Sequence, residues 1–312
     1  MNSSKLSLAD VLTLLTALGF GFICFLGANF YTLGNINQSI ILAFIIAVLL
    51  GGTALGAKIM KRTSRNFKSS FVWEIIFLVL FTMISALFSY TVFPHYFVVT
   101  EQKNEIQNKL IASISQAEDM FKEYEDYAEN RENLYRNKLK SVVYNKNVNP
   151  KEYNDFGFES NSVSDQKQID NKMFTVHADM FPSNYLQMKT LDSTWLANSR
   201  EIVETWKPIG IVNVLNDVEQ NSKNWLAELI KLSAVRENGE SDMHTKDFKY
   251  KLTFDSAKNH FTALGEPTLM SIGLAFLAYL LMLLSYFVSK RHTRFPGFQY
   301  LFTNRNNASN EL

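Results

Sequence analysis

Four long stretches of the 312-residue chain are almost free of charged side chains, and they constrain its fold more than any other feature. A helix needs about 20 apolar residues to cross a hydrocarbon core roughly 30 Å thick. One soluble domain rarely contains four such stretches, so we predict four transmembrane helices. Their predicted bounds are about 11–33, 39–57, 71–93 and 268–288.

The first apolar stretch is predicted to remain in the membrane as a helix. Lys5 precedes the stretch, as basic residues precede the apolar core of a signal peptide. The stretch is nevertheless too long for such a core, and no A-x-A cleavage site follows it. Cys24 lacks the small preceding residues of a lipoprotein cleavage site. It is also the only cysteine, so a disulfide within the chain is impossible.

Basic residues beside the predicted spans indicate an orientation. Five lie in the link between spans two and three, which has no acid, and three more follow span four. Basic residues near span ends stay on the cytoplasmic side. Both termini are therefore predicted to be cytoplasmic, with residues about 98–266 on the other side. The topology-determining residues are Lys58, Lys61, Arg62, Arg65, Lys68, Lys290, Arg291 and Arg294.

Charge is divided unevenly between the two predicted sides of the membrane. The cytoplasmic segments and span edges hold ten basic and three acidic residues, whereas residues 97–266 hold 21 basic and 27 acidic residues. The lack of paired cysteines is less typical of a eukaryotic secretory protein than of a bacterial one. We predict a multi-pass protein of the bacterial inner membrane with an acidic periplasmic domain.

Small residues in span two predict close helix packing. Such residues let helix backbones approach one another in lipid, within one chain or between copies of a homo-oligomer. The sequence does not separate these two uses. The helix-packing residues are Ala43, Ala47 and Gly51, spaced four apart, and Gly52 with Gly56.

Glu74 is the ionisable residue that we place inside a predicted span. An intramembrane carboxylate is a candidate functional group, since a charge there is costly. Because Glu74 lies about one turn from the cytoplasmic end, we favour an interfacial salt bridge with Lys58 or Lys68 over an ion or proton site. A pore would need further polar residues, and the candidates are Thr13, Thr16, Ser85 and Ser89.

A heptad pattern dominates the segment after span three. From Glu101 to about Lys146 the chain lacks Gly and Pro, which predicts one helix about 65 Å long. Apolar or small residues recur three and four apart, so one stripe faces a partner helix. We favour a partner within the same domain over a dimeric coiled coil. The stripe comprises Leu110, Ile114, Ala117, Phe121, Tyr124, Ala128, Tyr135 and Val142, interrupted at Arg131 and Lys138.

The rest of the predicted domain is mainly helical. Residues 147–168 are polar and predicted to form a loop. Two helices are predicted next, one over about Asn184–Trp206 and one from Pro208 to about Arg236.

A small β-hairpin is also predicted. Apolar and polar residues alternate from Phe248 to Phe254, which is the period of a strand, and Met173–Ala178 is the candidate partner. Asp255 is predicted to cap a last short helix. The predicted fold is membrane all-α, with three spans in residues 1–97, a mainly helical domain in 98–266, and the fourth span and basic tail in 267–312.

No sequence motif indicates a reaction, a cofactor or a metal. The five histidines do not have the spacing of a metal-binding motif, and no phosphate-binding loop or nucleophile elbow occurs. We therefore predict no catalytic, cofactor-binding or metal-ligating residue, and no nucleic-acid partner. The histidines are His95, His177, His244, His260 and His292.

These features favour a non-enzymatic membrane subunit whose extracytoplasmic domain binds a partner or senses a condition. The expected partners are membrane lipid and either another protein or further copies of the chain. One alternative is an oligomeric channel or transport component. The second is an envelope enzyme with an extracytoplasmic active site built from residues scattered in sequence.

Overall fold

The computed structural model describes residues 7–63, 67–161, 163–234, 247–254 and 257–291. Regular structure within these residues is entirely helical. Four helices are long and apolar enough to cross a membrane, which confirms the predicted number of candidate spans. They cover Leu8–Tyr31, Ile36–Arg62, Ser69–Glu101 and Leu269–Val288.

The described residues form two compact units. The span unit contains the described residues up to Asn104 and those from Lys258 onward, and the polar unit contains Glu105–Ala257. The helices are α1 (Leu8–Tyr31), α2 (Ile36–Arg62), α3 (Phe67–Tyr90), α4 (Val92–Glu101), α5 (Lys103–Tyr144), α6 (Pro150–Asp155), α7 (Asp165–Met180), α8 (Ser183–Glu204), α9 (Pro208–Ser233), α10 (Lys258–Thr262), α11 (Leu269–Met282) and α12 (Leu284–Val288).

Helices α1 and α2 share the centre of the span unit. Helix α1 packs against α2, α4, α11 and α12, whereas α3 packs mainly against α2. Aromatic rings fill the space between α1 and α4, where Phe20 stacks on Phe93 with ring centroids 4.3 Å apart. Cys24 is buried in this core.

The third candidate span is interrupted at Thr91, and Pro94 explains the interruption. A proline ring clashes with the carbonyl four residues earlier and removes an amide donor, so a helix tends to end before it. The residue four before Pro94 is Tyr90, where α3 ends, and Pro94 then lies in the first turn of α4.

The predicted stripe of α5 is buried at all eight positions. It packs against helices of the same chain. Its last part lies against α6 and α7 in one hydrophobic cluster, Tyr124 meets Tyr185 of α8, and Phe121 meets Trp225 of α9. Ring centroids are 5.4 and 5.7 Å apart in these two aromatic pairs. The stripe therefore serves packing within the chain.

Arg131 interrupts the stripe in sequence but is itself buried. Its Nη1 donates to the carbonyl oxygen of Ser233, the last residue of α9, at 2.7 Å. The last carbonyls of a helix lack partners within the helix and carry partial negative charge. The guanidinium of Arg131 thus satisfies the C-terminal end of α9 inside the core.

Two predictions for the polar unit are wrong. Residues 147–168 are not one loop, because α6 forms within them and buries Tyr153 against α5. The β-hairpin is absent from the described residues: Met173–Ala178 belongs to α7, and 247–254 has no strand partner. Asp255, the predicted cap, lies outside the described residues.

The 247–254 segment has no regular secondary structure, and side chains of helices rather than a strand satisfy its amides. The amide of Phe248 donates to Ser233 Oγ, 3.1 Å away, and the amide of Thr253 donates to Gln116 Oε1, 3.0 Å away. Phe248 is buried beside Tyr124 and Tyr127 of α5. The alternating sequence pattern therefore corresponds to a segment in which every second residue packs toward the helices.

Candidate functional site

Two buried carboxylates lie at one end of the span unit, which we call the basic end and which also contains Lys58, Lys61 and Arg291. The first carboxylate is Asp10, in the first turn of α1. Its Oδ2 accepts from the Ser7 amide at 2.9 Å and its own amide donates to Ser7 Oγ at 3.3 Å, which forms a capping box. The Ser7 hydroxyl also donates to Oδ2, at 2.9 Å. The position of Asp10 therefore follows from the local sequence at the helix start.

The other oxygen of Asp10 joins α1 to two distant elements. Lys58 of α2 forms an ion pair with Oδ1, and Ser285 of α12 donates to the same oxygen at 2.5 Å. Asp10 and Lys58 are both buried. The carboxylate thus connects the first, second and fourth candidate spans.

The second carboxylate is Glu74 of α3, whose side chain is 1% exposed. Arg291 binds it with both terminal nitrogens, at 2.8 and 2.5 Å, and the hydroxyl of Tyr286 donates to Oε1 at 2.7 Å. A bidentate contact of this kind fixes the relative orientation of the two side chains as well as pairing their charges. Glu74 therefore joins the third candidate span to the segment that ends the fourth.

Helices α11 and α12 of the fourth candidate span meet at Leu283, next to this network, and the helical hydrogen bonds continue there, with the Leu283 amide donating to the Tyr279 carbonyl at 3.0 Å. The hydroxyl of Thr13 donates to the carbonyl of Met282, 2.9 Å away, at the end of α11. Lys61 donates to the carbonyl of Tyr286 at 2.8 Å and lies 4.3 Å from the centre of its ring. Polar side chains from α1 and α2 thus bind the Met282 and Tyr286 carbonyls where α11 meets α12.

The structure changes the predicted partner of Glu74. Lys58, one of the two expected partners, binds Asp10, and the side chain of Lys68 lies outside the described part of the chain. Arg291, predicted as a topology residue, takes that place. Of the other predicted topology residues, Lys61 is half-buried, Arg62 and Lys290 are exposed, and Arg65 and Arg294 lie outside the described residues.

The predicted packing residues of span two lie in different environments. Ala43 and Ala47 face Gly21 of α1, Gly51 faces Ala17 and Leu14, and Gly56 faces Phe77 of α3, whereas Gly52 faces open space. Thr13 and Ser85 are buried, and the hydroxyls of Thr16 and Ser89 bind the Leu12 carbonyl and Tyr279.

A second surface of interest lies on α8 in the polar unit. Every exposed residue from Ser183 to Asn198 is uncharged, over a length of about 24 Å at 1.5 Å per residue. By contrast, all six exposed residues of α5 between positions 118 and 129 are charged. The uncharged α8 face consists of Ser183, Asn184, Leu186, Gln187, Thr190, Leu191, Ser193, Thr194, Ala197 and Asn198.

The charged residues in this part of α8 point away from the uncharged face. Lys189 forms an ion pair with Glu125 of α5, which also accepts from Tyr185 at 3.1 Å. Arg200 donates to Glu118, also of α5, at 2.6 Å. A surface helix usually has the opposite arrangement, with charges toward solvent. The α8 face is therefore polar but uncharged, since seven of its ten residues are Ser, Thr, Asn or Gln.

Asp192 is the remaining charged residue of this stretch and lies against α9. Trp225 hydrogen-bonds to its carboxylate, while Oδ2 is buried without a hydrogen-bond partner among the described residues. Burial raises the pKa of Asp192 from 3.8 to about 6, and the bond with Trp225 partly opposes this. An ionised Asp192 thus opposes folding at neutral pH.

We expect Asp192→Asn to stabilise the protein at pH 7.5 and to have little effect near pH 4. The folded protein binds the Asp192 proton more tightly than the unfolded chain, so its stabilisation is complete below pH about 4 and is lost as the pH rises through about 6. The expected gain is about 1 kcal/mol, since the group is partly solvated. Unfolding of the full chain at several pH values measures it. The exposed Asp126→Asn serves as control, and equal pH profiles for the two variants would contradict the prediction.

The histidines occupy separate positions. Nε2 of His95 meets the Phe261 carbonyl oxygen at 2.7 Å in the span unit, and Nδ1 of His177 meets Glu132 at 2.7 Å in the polar unit. His260 contacts Gln102, whereas His244 and His292 lie outside the described residues. Within the described ranges, no group of three or more His, Cys, Asp and Glu residues is arranged to hold a metal ion.

Sequence reasoning missed Asp10 and the α8 face. Asp10 was only one of the three acidic residues counted on the predicted cytoplasmic side, although Ser7 three positions before it is the pattern of a capping box. The sequence shows a long stretch with few charged residues at this position. Only the packed structure shows that Lys189 and Arg200 pair with α5. Comparison of the chain with protein-family models, with curated proteins and with solved structures found no match.

Proposed function

We propose that the chain is a non-enzymatic integral membrane subunit whose polar unit lies on the extracytoplasmic side and binds a protein partner. The basic residues at the span ends support this orientation, because such residues are retained in the cytoplasm. The basic end, with Lys58, Lys61 and Arg291, would then face the cytoplasm. Along the chain, the polar unit follows the span unit at Glu105 and ends at Ala257.

The uncharged α8 face is the observation that carries the partner-binding proposal. Depletion of charged residues distinguishes the core of a protein interface from the rest of a protein surface. Leu186 and Leu191 are 56% and 61% exposed on this face, and small polar residues surround them. Lys189 and Arg200 form ion pairs with Glu125 and Glu118 of α5. This arrangement suits contact with another protein.

Photo-crosslinking in intact cells tests the proposal. A photoreactive amino acid at Thr194, in the centre of the α8 face, should yield a discrete crosslinked product heavier than the chain. The same amino acid at Asp126, on the charged side of α5, should yield none or much less. Mass spectrometry then identifies the captured protein. Equal capture at both positions, or none at either, would refute binding through this face.

A second candidate function is an oligomeric channel or transport component. It is favoured by the buried carboxylates Asp10 and Glu74, which both accept hydrogen bonds from residues of α12 inside the span unit. Buried ionisable residues within membrane spans mark substrate and ion pathways in many transporters. Ion flux into liposomes that disappears with Glu74→Gln would support this function. Flux that the variant leaves unchanged would count against it.

A further inference from the structure

The two carboxylates of the basic end are already neutralised within the chain. Asp10 forms an ion pair with Lys58, and Glu74 forms one with Arg291. Lys61 lies at the same end, and its ammonium forms no ion pair with a carboxylate in the part of the chain that the structure describes. The basic end therefore carries positive charge that its own carboxylates do not compensate.

The ammonium of Lys61 is held in place but keeps capacity for an external acceptor. It donates to the Tyr286 carbonyl at 2.8 Å and lies 4.3 Å from the centre of the Tyr286 ring. An ammonium has three donors, so part of its capacity remains for a ligand. Arg291 is close enough for its positive charge to repel that of Lys61. A negative group bound beside Lys61 would offset this repulsion.

Two exposed cations, Arg62 and Lys290, follow Lys61 and precede Arg291 directly in sequence. Neither pairs with a carboxylate among the described residues. Helix α2 has 27 residues and is about 40 Å long, which exceeds a hydrocarbon core roughly 30 Å thick. Its charged end therefore reaches the depth of the lipid headgroups.

We propose that Lys61, Arg62 and Lys290 bind the phosphate of an anionic phospholipid headgroup. Clusters of basic residues beside membrane spans recognise such headgroups. Apolar side chains lie next to these cations, since Ile59 of α2 is 58% exposed and Val288 at the end of α12 is 65% exposed. They offer the acyl chains of a lipid a surface that a free phosphate would not need. The site lies within the span unit, so it does not depend on a partner of the α8 face.

Native mass spectrometry of the full chain in an uncharged detergent tests the proposal. Phosphatidylglycerol, phosphatidylcholine and inorganic phosphate are each titrated onto the protein. We expect phosphatidylglycerol to bind about tenfold more tightly than phosphatidylcholine, because phosphatidylcholine carries no net charge to pair with the cations. Inorganic phosphate should bind more weakly than phosphatidylglycerol, because it lacks the acyl chains that would contact Ile59 and Val288.

Three variants locate the binding site. Lys61→Gln should weaken phosphatidylglycerol binding about fivefold, which is the usual effect of one cation at an anionic lipid surface. Since Lys61 also binds the Tyr286 carbonyl, a second variant changes only exposed cations, and Arg62→Gln with Lys290→Gln should weaken binding at least as much. Lys122→Gln removes an exposed cation of α5 and should leave the affinity unchanged.

The possible outcomes are distinct. Selectivity for phosphatidylglycerol that falls in both basic-end variants but not in Lys122→Gln supports the site. Equal affinity for phosphatidylglycerol and phosphatidylcholine overturns it. Inorganic phosphate that binds as tightly as phosphatidylglycerol would identify a free anion as the ligand and overturn the lipid. If neither basic-end variant differs from Lys122→Gln, the lipid binds elsewhere on the chain and the proposal is wrong.

Discussion

Replacing Arg291 with Met will lower the free energy of unfolding of the purified protein by about 3 kcal/mol. Glu74 is 1% exposed, and Arg291 supplies two of its three hydrogen bonds. Removing one partner of a buried ion pair leaves an uncompensated charge, which is why the cost is large. Thermal unfolding in detergent measures the change.

Two further variants separate this effect from a general loss of charge. Lys290→Met removes the neighbouring exposed cation and should change stability by less than about 0.5 kcal/mol. The double variant Glu74→Gln with Arg291→Met removes both charges, and it should recover much of the stability lost by Arg291→Met alone. If Arg291→Met proves as stable as Lys290→Met, the ion pair does not hold α3 to the end of α12.

The partner of Glu74 shows where sequence reasoning stops. The apolar length of the spans predicts helices, because backbone groups in lipid must be satisfied within each segment. The sequence also marks Glu74 as an unusual charge. It does not show which of several nearby cations pairs with it. Arg291 lies 217 positions away along the chain and reaches Glu74 only because α12 packs at the same end of the unit.

Helix α5 and the 247–254 segment show the same limit of sequence-based prediction within the polar unit. The heptad pattern predicts the buried stripe of α5 because one face of a long helix must be covered. Arg131 breaks the apolar pattern of that stripe by residue type, yet it satisfies the carbonyl of Ser233. Alternation from Phe248 predicts the alternating burial of 247–254 but not a strand, because helical side chains bind its amides.

Replacing Gly27 with Val should have the second large effect, a loss of the folded span unit or a fall in its unfolding free energy of about 3 kcal/mol. A Cβ at position 27 would overlap the carbonyl oxygen of Val92 and crowd the amide of Tyr96. These are backbone atoms, so no side chain can rotate away to relieve the contact. The close approach of α1 and α4 therefore depends on glycine at this position.

The same helix offers a matched control for this prediction. A Cβ at Gly19 would meet nothing within 4 Å, and Gly19 is exposed on α1. Gly19→Val carries the same loss of backbone freedom and the same β-branched side chain, but no clash with α4. Thermal unfolding in detergent should therefore leave Gly19→Val close to the parent and place Gly27→Val far below it. Equal stability of the two variants would mean that Val92 and α4 do not approach α1 as closely as the packing of Phe20 on Phe93 implies.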